Sequence, residues 1–210
     1  VEVTPLDDAT VEGSETVVLT LLPGVGYGVG TGAVATVTLA DDDASVTVEV
    51  VDGSASEPLG GLGTGSFLLK RSGFLGATLP VSVSVSGTAA NGSDYVRIGS
   101  TQTFAVGQGE LPVLIQPLDD AIAEATETIT LTVLPSASYS VGQLTSGTVT
   151  LADDDTVVTV TASDATAGEP GSGQGTGRFT YTRAGNVSAV LNVQVSLLGT
   201  AANGVDYVAL

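Results

Sequence analysis

Cysteine, histidine, methionine and tryptophan are absent from this 210-residue chain, and lysine occurs once, at Lys70. Each absence removes a class of chemistry. Without thiolate or imidazole there is no ligand set for zinc, copper or iron. Nucleophilic sites of the Ser-His-Asp and Cys-His types are excluded as well. No disulfide is available, which is compatible with the cytosol and equally with a bacterial exoprotein stapled by metal. Only five basic residues stand against 23 acidic ones, a net charge of −18. Nucleic-acid binding needs clustered Lys and Arg, so the balance argues against that partner, and against docking on anionic lipid. No apolar run approaches the roughly 18 residues of a membrane span. A cation is the partner this balance favours, and any metal held here must be bound by oxygen alone, which means calcium or magnesium.

What is present is dominated by Gly, Ala, Ser, Thr and Val. We read that composition as a secreted bacterial style, located outside the cell or on its surface. Beginning at Val1 rather than Met, the sequence reads as an excerpt or a processed product.

Internal repetition organises the chain. Pro5-Leu6-Asp7-Asp8-Ala9 returns as Pro117-Leu118-Asp119-Asp120-Ala121. Leu39-Ala40-Asp41-Asp42-Asp43 returns as Leu151-Ala152-Asp153-Asp154-Asp155. Thr88-Ala89-Ala90-Asn91-Gly92 returns as Thr200-Ala201-Ala202-Asn203-Gly204, and Glu57-Pro58 as Glu169-Pro170. The offset is 112 each time, with no insertion. Residues 44–155 are then one whole repeat, 1–43 the C-terminal half of another, and 156–210 the N-terminal half of a third.

Period-two alternation marks the strands. Val46, Val48 and Val50 alternate with polar residues, as do Val81, Val83 and Val85, then Ile129, Leu131 and Val133, then Val149 and Leu151. Strands are expected around 114–118, 148–151 and 157–161. Clusters of Gly, Asn, Asp and Ser separate them. No segment has helical periodicity. Seven or so strands in about 110 residues predict an all-β fold, an immunoglobulin-like antiparallel β-sandwich in tandem copies. The paired aromatics Phe67/Phe179, Tyr27/Tyr139 and Tyr95/Tyr207 are expected to be core and corner residues.

The acids carry the functional signal. In the whole repeat they sit at Glu57, Asp94, Asp119, Asp120, Glu124, Glu127 and Asp153, Asp154 and Asp155. The first half-repeat places Asp7, Asp8, Glu12, Glu15, Asp41, Asp42 and Asp43 at the same positions, and the last places Glu169 and Asp206. These account for 18 of the 23 acids, and acids spread for solubility alone would not return to the same places. A single Asp-Asp run is ordinarily a solvated turn. Three acidic segments repeating in register are better explained by convergence at one pole of a sandwich. So many carboxylates repel unless a cation joins them. Calcium, which accepts 6–8 oxygens in flexible geometry, suits this better than magnesium.

Other motifs are set aside. The glycine-rich run 24–32 has no helix after it, and its counterpart 136–144 loses most glycines, so a phosphate loop is rejected. Runs 60–65 and 171–177 read as hairpin loops or linkers. Asn91-Gly92-Ser93 and Asn186-Val187-Ser188 are glycosylation sequons, leaving attached glycans open, although the turn reading is preferred for Asn91. Paired carboxylates occur in hydrolases, but here they repeat with the fold and no basic or aromatic residue repeats beside them, so an enzyme is not expected.

At this point the sequence resembles the Calx-β family. The resemblance rests on Glu57, the run from Gly87 to Tyr95, the run from Phe104 to Glu110, Leu118-Asp119-Asp120 with Glu124 and Glu127-Thr128, and Thr148 to Asp155. It covers the whole repeat in order. It implies an immunoglobulin-like sandwich with calcium at one tip, near the junction with the following domain. It also implies ligand roles for Glu57, Asp94, Asp119, Asp120, Glu124 and Asp153 to Asp155, with Glu127 a weaker candidate whose alternative reading is a strand-start residue. By the same positions Asp7, Asp8, Glu12, Asp41, Asp42 and Asp43 match in the first half-repeat, and Glu169 and Asp206 in the last. Neither partial set is complete within this chain. The expected role is an extracellular structural module forming a rigid rod or fibril, whose partners are calcium and neighbouring repeats, in the limit an end-to-end homopolymer. The alternatives are an adhesin stalk presenting a ligand-binding surface, and a calcium-sensing regulatory domain.

Overall fold

A computed structural model of the chain describes residues 1–8, 10–57 and 63–210. Ala9, Pro58 and the first half of the expected loop at 60–65 lie outside the described residues. Two compact units divide the chain, Val1–Asp155 and Thr156–Leu210. All described regular structure is strand, as the alternation predicts.

The first unit opens with a hairpin-like pair, β1 (Glu15–Thr20) and β2 (Val34–Leu39), joined antiparallel. The whole repeat follows. Its strands are β3 (Ala44–Asp52), β4 (Ser54–Ser56), β5 (Gly65–Gly73), β6 (Leu79–Gly87), β7 (Thr101–Phe104), β8 (Glu110–Ile115), β9 (Glu127–Val133), β10 (Ser140–Val141) and β11 (Ser146–Ala152). They form a four-stranded sheet, β10-β3-β5-β8, and a five-stranded sheet, β4-β11-β9-β6-β7. Their facing apolar rows make one core: Val46, Val48, Phe67, Leu69 and Ile115 on one side, Val81, Val83, Phe104, Ile129, Leu131 and Val149 on the other. This is the expected sandwich, with alternate residues inward along each strand. Two extra short strands, β4 and β10, pair parallel at the sheet edges. In the second unit β12 (Thr156–Asp164) pairs antiparallel with β13 (Arg178–Gly185).

β8 is the clearest departure from expectation, ending at Ile115 rather than near Leu118. Pro117 has no N–H for a ladder and makes only an isolated bridge to Tyr95. Leu118 then gives its N–H to the Asp94 carbonyl at 2.9 Å. The acidic turn after β8 is thereby tied to the turn that carries Asp94.

The aromatic expectation holds in the whole repeat, where Phe67, Tyr95 and Tyr139 are buried. Their counterparts differ: Phe179 and Tyr27 are both 60% exposed. Alternation tells which way a residue points, and burial also requires a second layer. Tyr139 Oη takes the Ser82 N–H at 3.0 Å and donates to the Leu134 carbonyl at 2.7 Å. It fastens the loop before β10 to β6. Tyr139→Phe is expected to lower the unfolding free energy of the repeat by about 1 kcal/mol, measured by urea denaturation, because the ring stays while a part-buried N–H and a carbonyl lose their partner.

Two further positions repeat at the same offset. Asp52 and Asp164 each close a short turn by accepting an N–H two residues on, from Ser54 at 3.1 Å and Thr166 at 3.2 Å. Arg71 and Arg183 each donate from Nη1 to a carbonyl six residues on, Ala77 at 2.8 Å and Ala189 at 2.6 Å. These are turn and loop fasteners that charge counting does not distinguish from surface residues.

Candidate metal centre

One pole of the whole repeat gathers the acids. Glu57 arrives there through β4. That strand pairs in parallel with β11, Ser56 opposite Ala152, and Glu57 continues the ladder by giving its N–H to the Ala152 carbonyl at 3.0 Å. The register therefore sets Glu57 beside the Asp153-Asp154-Asp155 run. Its side chain is only 6% exposed, and its Oε2 is buried with no hydrogen-bond partner. Asp155 Oδ2 is buried and unpartnered too. A buried carboxylate oxygen with nothing to bond is costly by itself and suits a cation.

Asp94 is placed by a tight turn. It accepts the Ala90 N–H at 2.6 Å, while Asn91 clamps Ile98 by donating to its carbonyl and accepting its N–H, both at 2.9 Å. Gly92 turns the chain at φ +96°, and buried Tyr95 anchors the end of the turn. The Asn91 side chain is thus a structural clamp, in line with the turn reading of that sequon. Asp120 accepts the Ile122 N–H at 2.6 Å, and Asp153 accepts those of Glu124 at 3.0 Å and Asp155 at 3.2 Å.

Three triads result, each able to bring one carboxylate oxygen per residue within 4.8 Å of the others: Glu57, Asp153 and Asp155; Glu57, Asp119 and Asp154; and Asp94, Glu124 and Glu127. Glu57 belongs to two of them. Of the expected set only Asp120 lies outside a triad, yet its charge acts on both Glu57 and Glu124. Glu127, the weaker candidate, is a full member of the third triad. Its recurrence as Glu15 was the sequence signal for it.

Electrostatics register the crowding. Burial, then the charges of Asp153, Asp120, Asp155 and Asp154, push the Glu57 carboxyl up to about 7. Glu127 is raised by burial, then by a hydrogen bond with Asp94, then by the charges of Asp94 and Glu124. Glu124, Asp154 and Asp155 are raised as well, burial leading in each. No lysine or arginine appears among these causes.

The half-repeats reproduce the scaffolding without the convergence. Asp7, Asp8, Glu12 and Asp41 to Asp43 line a single cavity of about 230 Å³. Asp41 accepts the N–H groups of Glu12 at 2.9 Å and Asp43 at 3.2 Å, as Asp153 does in the whole repeat. Among the described residues no three of these acids meet as the triads do. Asp206 accepts the Ala202 N–H at 2.8 Å as Asp94 does its counterpart, while Glu169 is exposed where Glu57 is buried.

The Calx-beta domain model matches residues 41–164, more than half of the chain and the whole of this repeat. The chain belongs to the Calx-beta family. No curated protein sequence matches it. Among solved structures, the apo-form Calx CBD1 domain is 23% identical, with 52% of this chain and 98% of that one covered and a TM-score of 0.41. The CBD12 structure from CALX1.2 is 22% identical over 60% of this chain and 52% of its own, at a TM-score of 0.43. The calcium binding domain CBD12 of CALX1.1 is 24% identical over 51% and 44%, at 0.41. This Calx-beta chain spans about half the length of the CBD12 structures it matches.

Proposed function

We propose that this Calx-beta chain is a calcium-binding structural module of an extracellular array, outside or on a bacterial cell. The observation that carries the reading is Glu57: a buried carboxylate with an unpartnered oxygen, shared by two acid triads. An all-carboxylate donor set fits a hard cation taking many oxygens. One ion is assigned to Glu57, Asp153 and Asp155, a second to Glu57, Asp119 and Asp154, and the outer triad of Asp94, Glu124 and Glu127 takes a further ion or waters of the inner pair. Asp120 supplies charge or completes a shell. The protein's own part is to hold these oxygens in place by backbone N–H groups, so that little ordering remains when the ion arrives.

A rod requires stiff joints. β3 begins at Ala44, directly after Asp43, and the Phe74 N–H donates to the Asp43 carbonyl at 2.8 Å. Gly73 has φ +85°, where a Cβ would press on that carbonyl and on Val11. The acids of one repeat thus lie beside the first residues of the next. We read 1–43, 44–155 and 156–210 as parts of three successive repeats, with calcium bound at the joints and neighbouring repeats as the partners. Calcium titration by calorimetry and small-angle scattering test this together. Heat of binding, and a longer, straighter particle in calcium than in EDTA, are expected. No heat and identical scattering curves overturn the reading.

A further inference from the structure

Asn91-Gly92 lies in the turn that seats Asp94. Asparagine followed by glycine is the pair most open to attack of the main chain on the side-chain amide, because no Cβ shields the next nitrogen. The chain has two such pairs, Asn91-Gly92 and Asn203-Gly204. In the whole repeat both reacting groups of Asn91-Gly92 are held. Nδ2, the group that would leave, donates to the Ile98 carbonyl, and Oδ1 accepts the Ile98 N–H, both at 2.9 Å. The Gly92 N–H, which must lose its proton before its nitrogen can attack, donates to the Tyr95 carbonyl at 3.1 Å. Asn91 is exposed, so water and base reach it, and these three bonds are what restrains the reaction.

The same turn is tied to the acid pole. Asp94 accepts the Ala90 N–H, gives its own N–H to the Ala90 carbonyl at 3.2 Å, and takes the Leu118 N–H on its carbonyl. Its carboxylate meets those of Glu124, between β8 and β9, and Glu127, the first residue of β9. Carboxylates from two distant stretches thus converge on the turn. Their repulsion favours opening, and a shared cation removes it.

We propose that Asn91-Gly92 is a site of spontaneous deamidation gated by calcium at the triad of Asp94, Glu124 and Glu127. The inference rests on the calcium reading above. When the turn opens, the Gly92 nitrogen gives its proton to base and bonds to Asn91 Cγ. The Cγ–Nδ2 bond breaks, and the amide nitrogen takes up a proton and leaves as ammonia, so a succinimide forms. Water opens that ring at either carbonyl, yielding aspartate or isoaspartate, and no further reactant is needed. Either product lacks the Nδ2 donor, so the Ile98 carbonyl loses its partner. Isoaspartate also lengthens the main chain of the turn by one carbon, which displaces Asp94 from the Ala90 N–H. The change is irreversible, so the turn records time spent without calcium. Opening separates the three carboxylates, and its population falls by the factor 1 + [L]/Kd, about a hundredfold at a hundredfold excess of calcium over Kd.

The test incubates the full chain at mildly alkaline pH in calcium and in EDTA. Peptide mapping by mass spectrometry follows Asn91 apart from Asn203, with calcium calorimetry beside it. Deamidation of Asn91 is expected in EDTA, and about a hundredfold more slowly at a hundredfold calcium excess. Low urea is expected to leave the EDTA rate nearly unchanged, since a local opening exposes little surface. Glu124→Gln is expected to lose most of the protection while binding at the Glu57 centre persists. Equal rates in calcium and EDTA, or no reaction in either, with the heat of calcium binding intact, overturn the gating and spare the calcium reading. So does an EDTA rate that climbs with urea as global unfolding does. Full protection in Glu124→Gln overturns this triad as the gate. Absence of any heat of calcium binding overturns the calcium reading itself.

Discussion

Glu57→Gln is expected to remove most of the thermal stabilisation that calcium gives this protein, while leaving the metal-free form at least as stable as the parent. Ligand that binds only the native state stabilises it by roughly 2.7 kcal/mol at a hundredfold excess over Kd and about 4.1 at a thousandfold. For a domain near 100 residues each kcal/mol moves the midpoint by about 4–8 °C, so a calcium-induced rise of about 10–30 °C is expected in the parent. Glutamine keeps the shape of Glu57 and removes its charge. Two triads lose their shared carboxylate at once, because Glu57 belongs to both. In EDTA the sign reverses. The parent must hold a nearly buried carboxylate among Asp153, Asp120, Asp155 and Asp154, and the amide relieves that repulsion. Differential scanning calorimetry in calcium and in EDTA reads both effects. A variant that keeps the full calcium shift would show that Glu57 holds no ion.

The two effects of this substitution trace back to features of different legibility. Strands β3, β6, β9 and β11 are plain in the alternation, since a half-buried strand must place one residue type inward. The acid positions are plain in the 112-residue recurrence. The way they meet is not. Glu57 reaches Asp153 only through the parallel pairing of β4 with β11, a three-residue contact with no alternation of its own. Likewise Glu127 looks like the first residue of a strand, and the turn holding Asp94 brings a carboxylate against it beside that of Glu124. Leu118 is apolar and fits a strand by pattern, yet β8 ends at Ile115, because Pro117 and the N–H bond from Leu118 to the Asp94 carbonyl decide the backbone there. Exposure of Tyr27 and Phe179 was equally hidden, for periodicity carries no information about what lies across the interface.

Between pH 5 and pH 8 the metal-free protein is expected to lose stability, and the calcium-induced shift to grow. The Glu57 carboxyl is raised from 4.5 to about 7, first by burial and then by Asp153. A group whose folded value lies above its unfolded value binds its proton more tightly in the folded state. Its contribution is therefore fully present below the unfolded value of 4.5 and disappears as pH rises through about 7. For Glu57 alone that contribution is at most about 3 kcal/mol. Glu127 is raised too, by burial and by Asp94, and acts in the same direction. Calcium binds the ionised form and competes with the proton, so its affinity falls as pH drops below 7, and the two stability curves diverge toward alkaline pH. In Glu57→Gln the metal-free curve should flatten. Melting curves in EDTA and in calcium at half-unit steps of pH measure this directly. A metal-free midpoint that is constant or rises from pH 5 to pH 8 would mean that Glu57 is hydrated in solution, and that the acid pole opens when no cation holds it.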